Sequence, residues 1–176
     1  MASKLKTDIL ETVSGSGTIA LTNQLSGMTG ASMPSGSVIQ VVGTKSGATF
    51  TSTSTSYVEL PHLRCSITTL SANSKILVTM NCAKQGNQSN ETVVATEVRS
   101  SLDNYSAALL TNTTAFYPTW IQTQGNHIVL HTAGQAAGTT ITYRMYGKVN
   151  QGTLYAPDLW GIGGFQSSTV IQEIKG

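Results

Sequence analysis

The segment SKILVTMNC, residues 74–82, alternates between two sets of side chains. One set consists of Ile76, Val78, Met80 and Cys82, and the other of Leu77, Thr79 and Asn81. A period of two belongs to an extended strand, whereas the faces of a helix repeat every 3.6 residues. The segment therefore predicts a β-strand with one buried side, and such a strand needs a sheet around it.

Similar runs, separated by turn residues, continue through the chain from residue 37. They are residues 37–43, 55–60, 63–70, 91–99, 126–132, 139–149, 152–156 and 168–174. About eight or nine short strands at this spacing predict an all-β protein, an antiparallel β-sandwich. Residues 82–91, 102–120 and 155–166 are predicted to be long irregular connections between the strands.

Charge is scarce in this chain. It has 10 Lys and Arg and 8 Asp and Glu in 176 residues, with a formal net charge of +2. The basic residues are dispersed along the sequence, so no nucleic-acid partner is predicted. No apolar run reaches the length of a membrane-spanning helix, and the first twelve residues lack the apolar core of a secretory signal. We therefore expect no membrane insertion.

No motif predicts catalysis. The serines lack the GxSxG pattern of a nucleophile elbow, and the glycine-rich stretch SGSGTIAL lacks the lysine of a phosphate-binding loop. The carboxylates show no spacing that favours a glycosidase pair. The protein is expected not to be an enzyme and to use no cofactor.

The histidines and cysteines are interpreted as structural, and no metal site is predicted. His127 and His131 lie about 13 Å apart on one strand face, too far to share a metal within one chain. They are interpreted as sheet-surface residues, with metal or anion binding on a three-fold axis as the alternative. His62 follows a proline and is expected in a turn. Cys65 and Cys82 are interpreted as small buried side chains, with a disulfide as the alternative.

Three segments carry a resemblance to a known family. The opening MASKLKTDILETVSGSGTIALTNQLSGM resembles the N-terminal segment of tail-fibre-like and virion appendage proteins of marine bacteriophages, especially those that infect cyanobacteria. Residues 53–82 and 141–176 are similar to the core and the ending of the same proteins. The resemblance implies a trimer with a jelly-roll head of the tumour-necrosis-factor or complement-C1q shape. Residues 1–35 would form an N-terminal virion-attachment arm, and residues 36–176 the jelly-roll domain.

The resemblance also implies a function. We expect a bacteriophage virion structural protein, a tail fibre-like appendage assembled in the bacterial host cytoplasm that attaches through its N-terminus and adheres to the host surface. Its expected partners are two further copies in a homotrimer, other virion proteins of the tail, baseplate or capsid, and a host cell-surface glycan or protein. The alternative is a capsid decoration or head-fibre protein that stabilises the shell without receptor binding. A phage depolymerase or a secreted C1q-like lectin is less consistent with the missing carboxylate spacing and signal peptide.

Aromatic residues of the connections are the candidate adhesion or interface residues, and packing in the core or at a subunit interface is the alternative. They are Tyr105, Tyr117, Trp120, Trp160 and Phe165. In a trimeric jelly roll the last strand commonly lies near the three-fold axis, so Val170 and Ile174 are expected there. Glu173 is expected to pair with Lys175 or Arg144 at a sheet edge.

Overall fold

The computed structural model of the protein describes residues 33–87, 92–116, 122–156 and 166–176. Within these ranges the regular structure is ten β-strands and one turn of 3-10 helix at Ser101–Asp103. The strands are β1 Val38–Ser46, β2 Phe50–Ser52, β3 Val58–Thr68, β4 Lys75–Asn87, β5 Thr92–Ser100, β6 Leu110–Phe116, β7 Gln122–Thr132, β8 Thr140–Val149, β9 Thr153–Ala156 and β10 Ser167–Ile174. The predicted all-β class is confirmed.

The strands form two antiparallel sheets. In the first sheet β1, β10, β4 and β7 lie side by side in that order. β9 pairs with β4 beyond the end of β10, and β2 pairs with β9. β9 and β2 therefore occupy the positions of β10 and β1 farther along β4. The second sheet has the order β3-β8-β5-β6. With β1 and β2 counted as one interrupted strand, and β9 and β10 as another, the strand order is that of an eight-stranded jelly roll. The predicted β-sandwich of jelly-roll type is confirmed.

The core lies between the two sheets. The predicted inner face of β4 is fully buried, with Ile76, Val78, Met80 and Cys82 at 0% exposure. From the second sheet, β8 contributes its alternate residues to the same cluster, among them Ile141, Tyr143 and Met145. Each large apolar side chain removed from water stabilises the fold by about 1.5–3 kcal/mol. The strands with the clearest alternation are therefore the ones that hold the two layers together.

A wide bulge in β3 replaces the turn that the sequence suggested at residues 61 and 62. Between the cross-strand partners of Glu59 and Arg64, four residues of β3 face the single residue Met145 of β8. Pro61 has no N–H to donate, and it is tolerated because β3 is an edge strand. The expectation of His62 in a turn is wrong, since His62 lies inside this bulged strand.

Two of the predicted irregular connections contain strand. Residues 110–116, inside the expected connection 102–120, form β6, and β4 continues to Asn87, inside the expected connection 82–91. β2, at Phe50–Ser52, was not predicted either. β6 reads LTNTTAF and lacks an apolar alternation, but its β-branched threonines suit an edge strand with one wet side. These three assignments depend on pairing with neighbours rather than on local pattern.

Glu173 of β10 fastens the β3–β4 connection. Its side chain is fully buried. The backbone N–H of Leu70 donates to both carboxylate oxygens at 2.9 Å, and the N–H of Ser71 donates to Oε1 at 3.0 Å. The hydroxyl of Ser74 donates to the same oxygen at 2.7 Å. One buried carboxylate thus accepts hydrogen bonds from three groups of a single turn, which fixes that turn on the end of the sandwich.

The exposed ion pair expected for Glu173 is therefore wrong. Glu173 points into the interior, while Arg144 pairs with Glu59 at 2.9 Å on the other sheet. The amine of Lys175 donates to the carbonyl oxygen of Met33 at 2.6 Å. What the structure bears out is the position of the strand, because β10 pairs with β1 on one side and with β4 on the other.

The expected domain boundary at residue 35 falls at the start of the described residues. Residues 1–32 lie outside them. Gly36 donates its N–H to the carbonyl oxygen of Lys175 at 2.8 Å, and the N–H of Lys175 donates to the carbonyl oxygen of Ser37 at 2.9 Å. The sandwich therefore includes residues from 36 onward, and the separate arm at residues 1–35 stays a prediction.

Both cysteines are free thiols, which excludes the disulfide alternative in this structure. Cys82 is fully buried in the core, as interpreted. Cys65 is half-buried against the same core, and burial raises the pKa of its thiol. A thiol with a raised pKa is less available as a thiolate at neutral pH, so Cys65 does not have the character of a nucleophile.

Candidate functional site

All three arginines of the chain stand side by side on the outer face of the second sheet. Arg64 of β3 is the cross-strand partner of Arg144 in β8, and Arg144 is the partner of Arg99 in β5. Like charges placed directly opposite each other destabilise a sheet unless other groups compensate them. Such a row therefore needs neighbouring anions or an anionic ligand.

The next row along the strands supplies two carboxylates. Glu59 and Glu97 are the cross-strand partners of Tyr146, one on each side. Arg144 donates to Glu59 at 2.9 Å, and Arg99 forms a close ion pair with Glu97. The Glu97 side chain is almost fully buried. Two of the three guanidinium groups are thus held in fixed positions by carboxylates of the adjoining row.

Three tyrosines cover these guanidinium groups. The Arg144 guanidinium carbon lies 4.1 Å from the centre of the Tyr105 ring. That of Arg99 lies 4.7 Å from the Tyr146 ring and 5.4 Å from the Tyr57 ring. Contacts of this kind are cation–π interactions worth about 0.5–2 kcal/mol each. The alternation of arginine and tyrosine makes a stiff, amphipathic surface.

We call this surface the arginine–tyrosine face. It consists of Tyr57, Glu59, Arg64, Glu97, Arg99, Tyr105, Arg144, Tyr146 and Lys148. The expectation that basic residues are dispersed holds along the sequence only, because the fold collects all three arginines and one lysine in one place.

Tyr105, a predicted adhesion residue, is positioned by a strained turn. Asn104 and Tyr105 both have left-handed backbone conformations, with φ of 55° and 60°, and such a conformation is unusual for a tyrosine. Arg99 donates to the carbonyl oxygen of Tyr105 at 2.9 Å. The N–H of Ala107 donates to the Asp103 carboxylate at 2.8 Å and lowers the pKa of that group. Strained backbone conformations cluster at functional sites, and here the turn holds the Tyr105 ring over the Arg144 guanidinium group.

A shallow cleft adjoins the arginine–tyrosine face at Lys148. Its volume is about 180 Å³, and its lining is Thr55, Val93, Ala95, Lys148, Val149 and Asn150. The Lys148 amine lies 4.5 Å from the centre of the Tyr57 ring. Burial and the Glu97 carboxylate raise the pKa of Tyr57, so its phenol stays protonated. The cleft is therefore lined by both apolar side chains and a cation.

The outer face of the first sheet has the opposite character. Val41, Ile128, Leu130 and Val170 are exposed at 58%, 61%, 53% and 37%. They lie on β1, β7 and β10, and Leu77 of β4 is the cross-strand partner of Leu130. We call Val41, Leu77, Ile128, Leu130 and Val170 the apolar face. Several apolar side chains on neighbouring strands form a patch that proteins usually cover.

Val170 lies at the centre of the apolar face, between Gly43 of β1 and Thr79 of β4. Ile174 lies on the same outer side of β10, beside the exposed Val38, and is partly buried. The structure thus places both predicted axis residues on one surface, and their role at an axis stays a prediction. Of the other predicted site residues, Tyr117, Trp120, Trp160 and Phe165 lie outside the described residues.

The histidines of β7 point into the protein, so their interpretation as surface residues is wrong. His127 is fully buried, and its Nε2 lies 3.1 Å from the hydroxyl of Thr96 on the opposite sheet. His131 Nδ1 lies 2.9 Å from the hydroxyl of Tyr143. Because these partners lie in the interior, neither imidazole is directed toward a symmetry axis outside the subunit. The described residues contain no group of three side chains that could hold a metal ion.

Burial of His131 predicts a loss of stability in acid. Burial lowers the pKa of His131 below its ordinary value of 6.5, and the charge of Asp103 opposes this in part. The unfolded chain then binds the proton more readily, so the free energy of unfolding falls as the pH drops through 6.5. We expect a smaller loss between pH 7.5 and pH 5.5 in His131→Gln, measured by denaturant unfolding. Equal losses in both proteins would contradict this.

No helix among the described residues is long and apolar enough to cross a membrane. Comparison with known proteins gives little more. No protein-family model matches the chain, and no curated protein matches it.

Two of the solved structures that match are of infectious bursal disease virus. The match to the Gx strain structure covers 78% of this chain and 38% of the other, with 12% identity and a TM-score of 0.37. The match to the Gt strain covers 79% and 37%, with 9% identity and a TM-score of 0.30. This chain spans less than two-fifths of either matched chain, and a likeness this weak carries no conclusion about function.

Proposed function

We propose that this chain is a virion structural protein of a bacteriophage, a non-catalytic jelly-roll module that forms a homotrimer through the apolar face. In this proposal it serves as a tail fibre-like appendage, attached through its N-terminal residues, and its arginine–tyrosine face adheres to the host surface. The observation that carries the proposal is the orientation of β7. That strand turns its largest apolar side chains to the outside and its histidines to the inside.

The orientation of β7 runs against the usual preference. A shift of one residue in its pairing with β4 would bury Ile128 and Leu130 and expose His127, Val129 and His131, so it would exchange one apolar side chain for two in the core. Burying a side chain of that size is worth about 1.5–3 kcal/mol. The sandwich forgoes this gain and keeps the His127 ring fully buried and the His131 ring half-buried on its inner side. An outer face with these apolar residues is expected when association covers them.

Further copies of this chain are the occupant that the surface fits best. The middle of the apolar face carries no charge, since the residues between the apolar side chains are Gly43, Thr79 and Gln172. Depletion of charge at the centre is typical of interfaces, and homodimer-like interfaces are the most apolar of them. Lys45 and Lys75 lie toward the strand ends, at the rim. The number of copies, three, is taken from the family resemblance.

Light scattering on the full-length protein tests the assembly. Three chains of 18.5 kDa give 55.5 kDa. We expect that mass for the native protein and 18.5 kDa for Ile128→Asp, because a carboxylate within an apolar interface loses its hydration without a partner. Thr113→Asp, at an exposed position of β6 on the other sheet, is the matched control and should stay trimeric. A monomeric native protein, or equal masses for both variants, would contradict the proposal.

A capsid decoration role without receptor binding remains the second candidate. It is favoured by the internal pairing of the arginine–tyrosine face, where Arg99 and Arg144 already have carboxylate partners. Antibody labelling of particles separates the two roles. Label confined to the tail or baseplate supports the appendage, whereas label over the whole head supports decoration.

A further inference from the structure

We infer that the arginine–tyrosine face binds an acidic saccharide, a chain of sugar rings bearing carboxylates, with one ring in the cleft beside Lys148. The inference rests on the proposed function in one respect: in a trimer formed through the apolar face, the arginine–tyrosine face on the other sheet stays accessible to a ligand.

The cleft suits a single sugar ring. Its lining includes Val93 and Ala95, and a pyranose presents a face of C–H groups that can pack on apolar side chains. Its lining also includes Thr55 and Asn150. Asn150 Oδ1 accepts from the N–H of Val93 at 2.7 Å and of Gln151 at 2.8 Å, which orients the amide and leaves its NH₂ group as a donor. A sugar ring needs both apolar side chains to pack against and polar groups that bind its hydroxyls, and the lining of this cleft has both kinds.

The charges beside the cleft favour an anionic ligand. The face carries Arg64, Arg99, Arg144 and Lys148 against two carboxylates, and its net charge is +2. Arg64 is the most available of these cations, because its side chain is 59% exposed and lies 4.0 Å from its only ion-pair partner among the described residues, Glu59. A planar guanidinium of this kind binds a carboxylate through two parallel hydrogen bonds.

The spacing of the cations favours a chain over a single small anion. Lys148 and Arg144 are four residues apart on the same side of β8, a separation of about 13 Å. Tyr146 lies between them and offers part of its ring to the surface. A ligand that contacts both cations must therefore extend along the strand, with one end in the cleft and an anionic group at the arginine row.

Two buried atoms argue for a ligand with hydroxyl groups as well as carboxylates. Glu59 Oε1 and Arg144 Nε have no hydrogen-bond partner among the described residues. Such atoms are uncommon in proteins, and one of these is an acceptor while the other is a donor. Sugar hydroxyls both donate and accept, so they match one acceptor and one donor of this kind. Both atoms are buried, and a ligand reaches Glu59 Oε1 when the Arg64 side chain, which lies 4.0 Å from it, moves aside. A ligand with anionic groups alone would leave Glu59 Oε1 without a donor.

Isothermal titration of the full-length protein tests the ligand class. The probe is an oligogalacturonide, and the two comparison ligands have the same length: a neutral maltooligosaccharide and an oligo-L-glutamate. We expect the oligogalacturonide to bind at least about tenfold tighter than either, since the maltooligosaccharide lacks carboxylates and the oligo-L-glutamate lacks a sugar ring for the cleft. Equal affinity for the oligo-L-glutamate would overturn the inference and assign the face to acidic peptides.

Variants locate the site. Arg64→Ala and Lys148→Ala are each expected to weaken oligogalacturonide binding about tenfold, and Ala95→Leu should do the same by filling the cleft. Lys75→Ala removes the same charge from the outer side of the first sheet and should change affinity less than about twofold. Melting curves confirm that each variant is folded. Arg64→Ala and Lys148→Ala matching Lys75→Ala would overturn the inference.

The ligand assignment and the proposed assembly can be contradicted independently of each other. A 55.5 kDa protein that does not bind the oligogalacturonide would overturn the ligand assignment and leave the proposed assembly intact. Binding by an 18.5 kDa monomer would support the ligand assignment and contradict the assembly.

Discussion

Glu173→Ala is expected to lower the free energy of unfolding by about 3 kcal/mol. The substitution leaves the N–H groups of Leu70 and Ser71 and the hydroxyl of Ser74 without their acceptor at a buried position. Water entering the vacated space can recover part of the loss, so the expected value stays below the sum of three full penalties. Denaturant unfolding of the two proteins under the same conditions measures the difference.

Two variants bracket this effect. Glu173→Gln keeps one carbonyl acceptor and should fall between the native protein and Glu173→Ala. Glu59→Ala removes a carboxylate that is 26% exposed and pairs with Arg144, and it should cost no more than about 1 kcal/mol. Equal losses for Glu59→Ala and Glu173→Ala would mean that the turn at residues 69–74 does not depend on the buried carboxylate.

Gly147→Val is expected to cost about 3 kcal/mol through overpacking. A Cβ at Gly147 would lie 2.8 Å from Cδ2 of Leu154 and 3.4 Å from Cδ2 of Leu60. Both leucines are fully buried in the core, so neither can move without displacing other residues. Thermal or denaturant unfolding measures the loss. Gly47→Val is the control, because nothing lies within 4 Å of a Cβ at Gly47, and its effect should stay within about 0.5 kcal/mol.

A double-mutant cycle identifies the cause. Leu154→Ala alone should cost about 3 kcal/mol by leaving a cavity. In the double variant the valine can occupy part of that cavity, so the combined loss should be about 2 kcal/mol smaller than the sum of the single losses. Additive losses would show that Gly147 is required for a reason other than its contact with Leu154.

The strands that the sequence predicted best are those whose local pattern agrees with their burial. β4 and β8 alternate cleanly, and their inner faces are buried as expected. β6 was not predicted, because its threonines and asparagine do not alternate with apolar residues. Its place in the sheet depends on pairing with β5. The bulge at Pro61 escaped for a similar reason, since only an edge position tolerates a proline within a strand.

The orientation of β7 could not have been read from its residues. NHIVLHT has apolar residues at three consecutive positions, so hydrophobicity assigns neither side to the core. The deciding contacts come from the opposite sheet, where Thr96 meets His127 and Tyr143 meets His131. Partners of this kind are distant in sequence, which is why the histidines were assigned to the surface.

The arginine–tyrosine face could not be predicted from the sequence either. Arg64, Arg99 and Arg144 are separated by 35 and 45 residues, and only the register of β3, β8 and β5 aligns them. Tyr105 was chosen because it is an aromatic residue in a connection, and the structure adds its place above Arg144. A count of arginines combined with a correct register would have been the one usable signal.

The place of β10 in the first sheet bears on how the protein is made. β1 and β4 each pair with β10 along most of its length, and Val38 of the first strand pairs with Ile174 of the last, 136 residues later in the chain. During synthesis on the ribosome, the edges of β1 and β4 that pair with β10 therefore stay without hydrogen-bond partners until the whole of β10 has emerged. Open edges recruit strands from other chains, and closing so long a loop is slow. When several ribosomes translate one message, correct insertion of β10 therefore competes with strand exchange between neighbouring nascent chains.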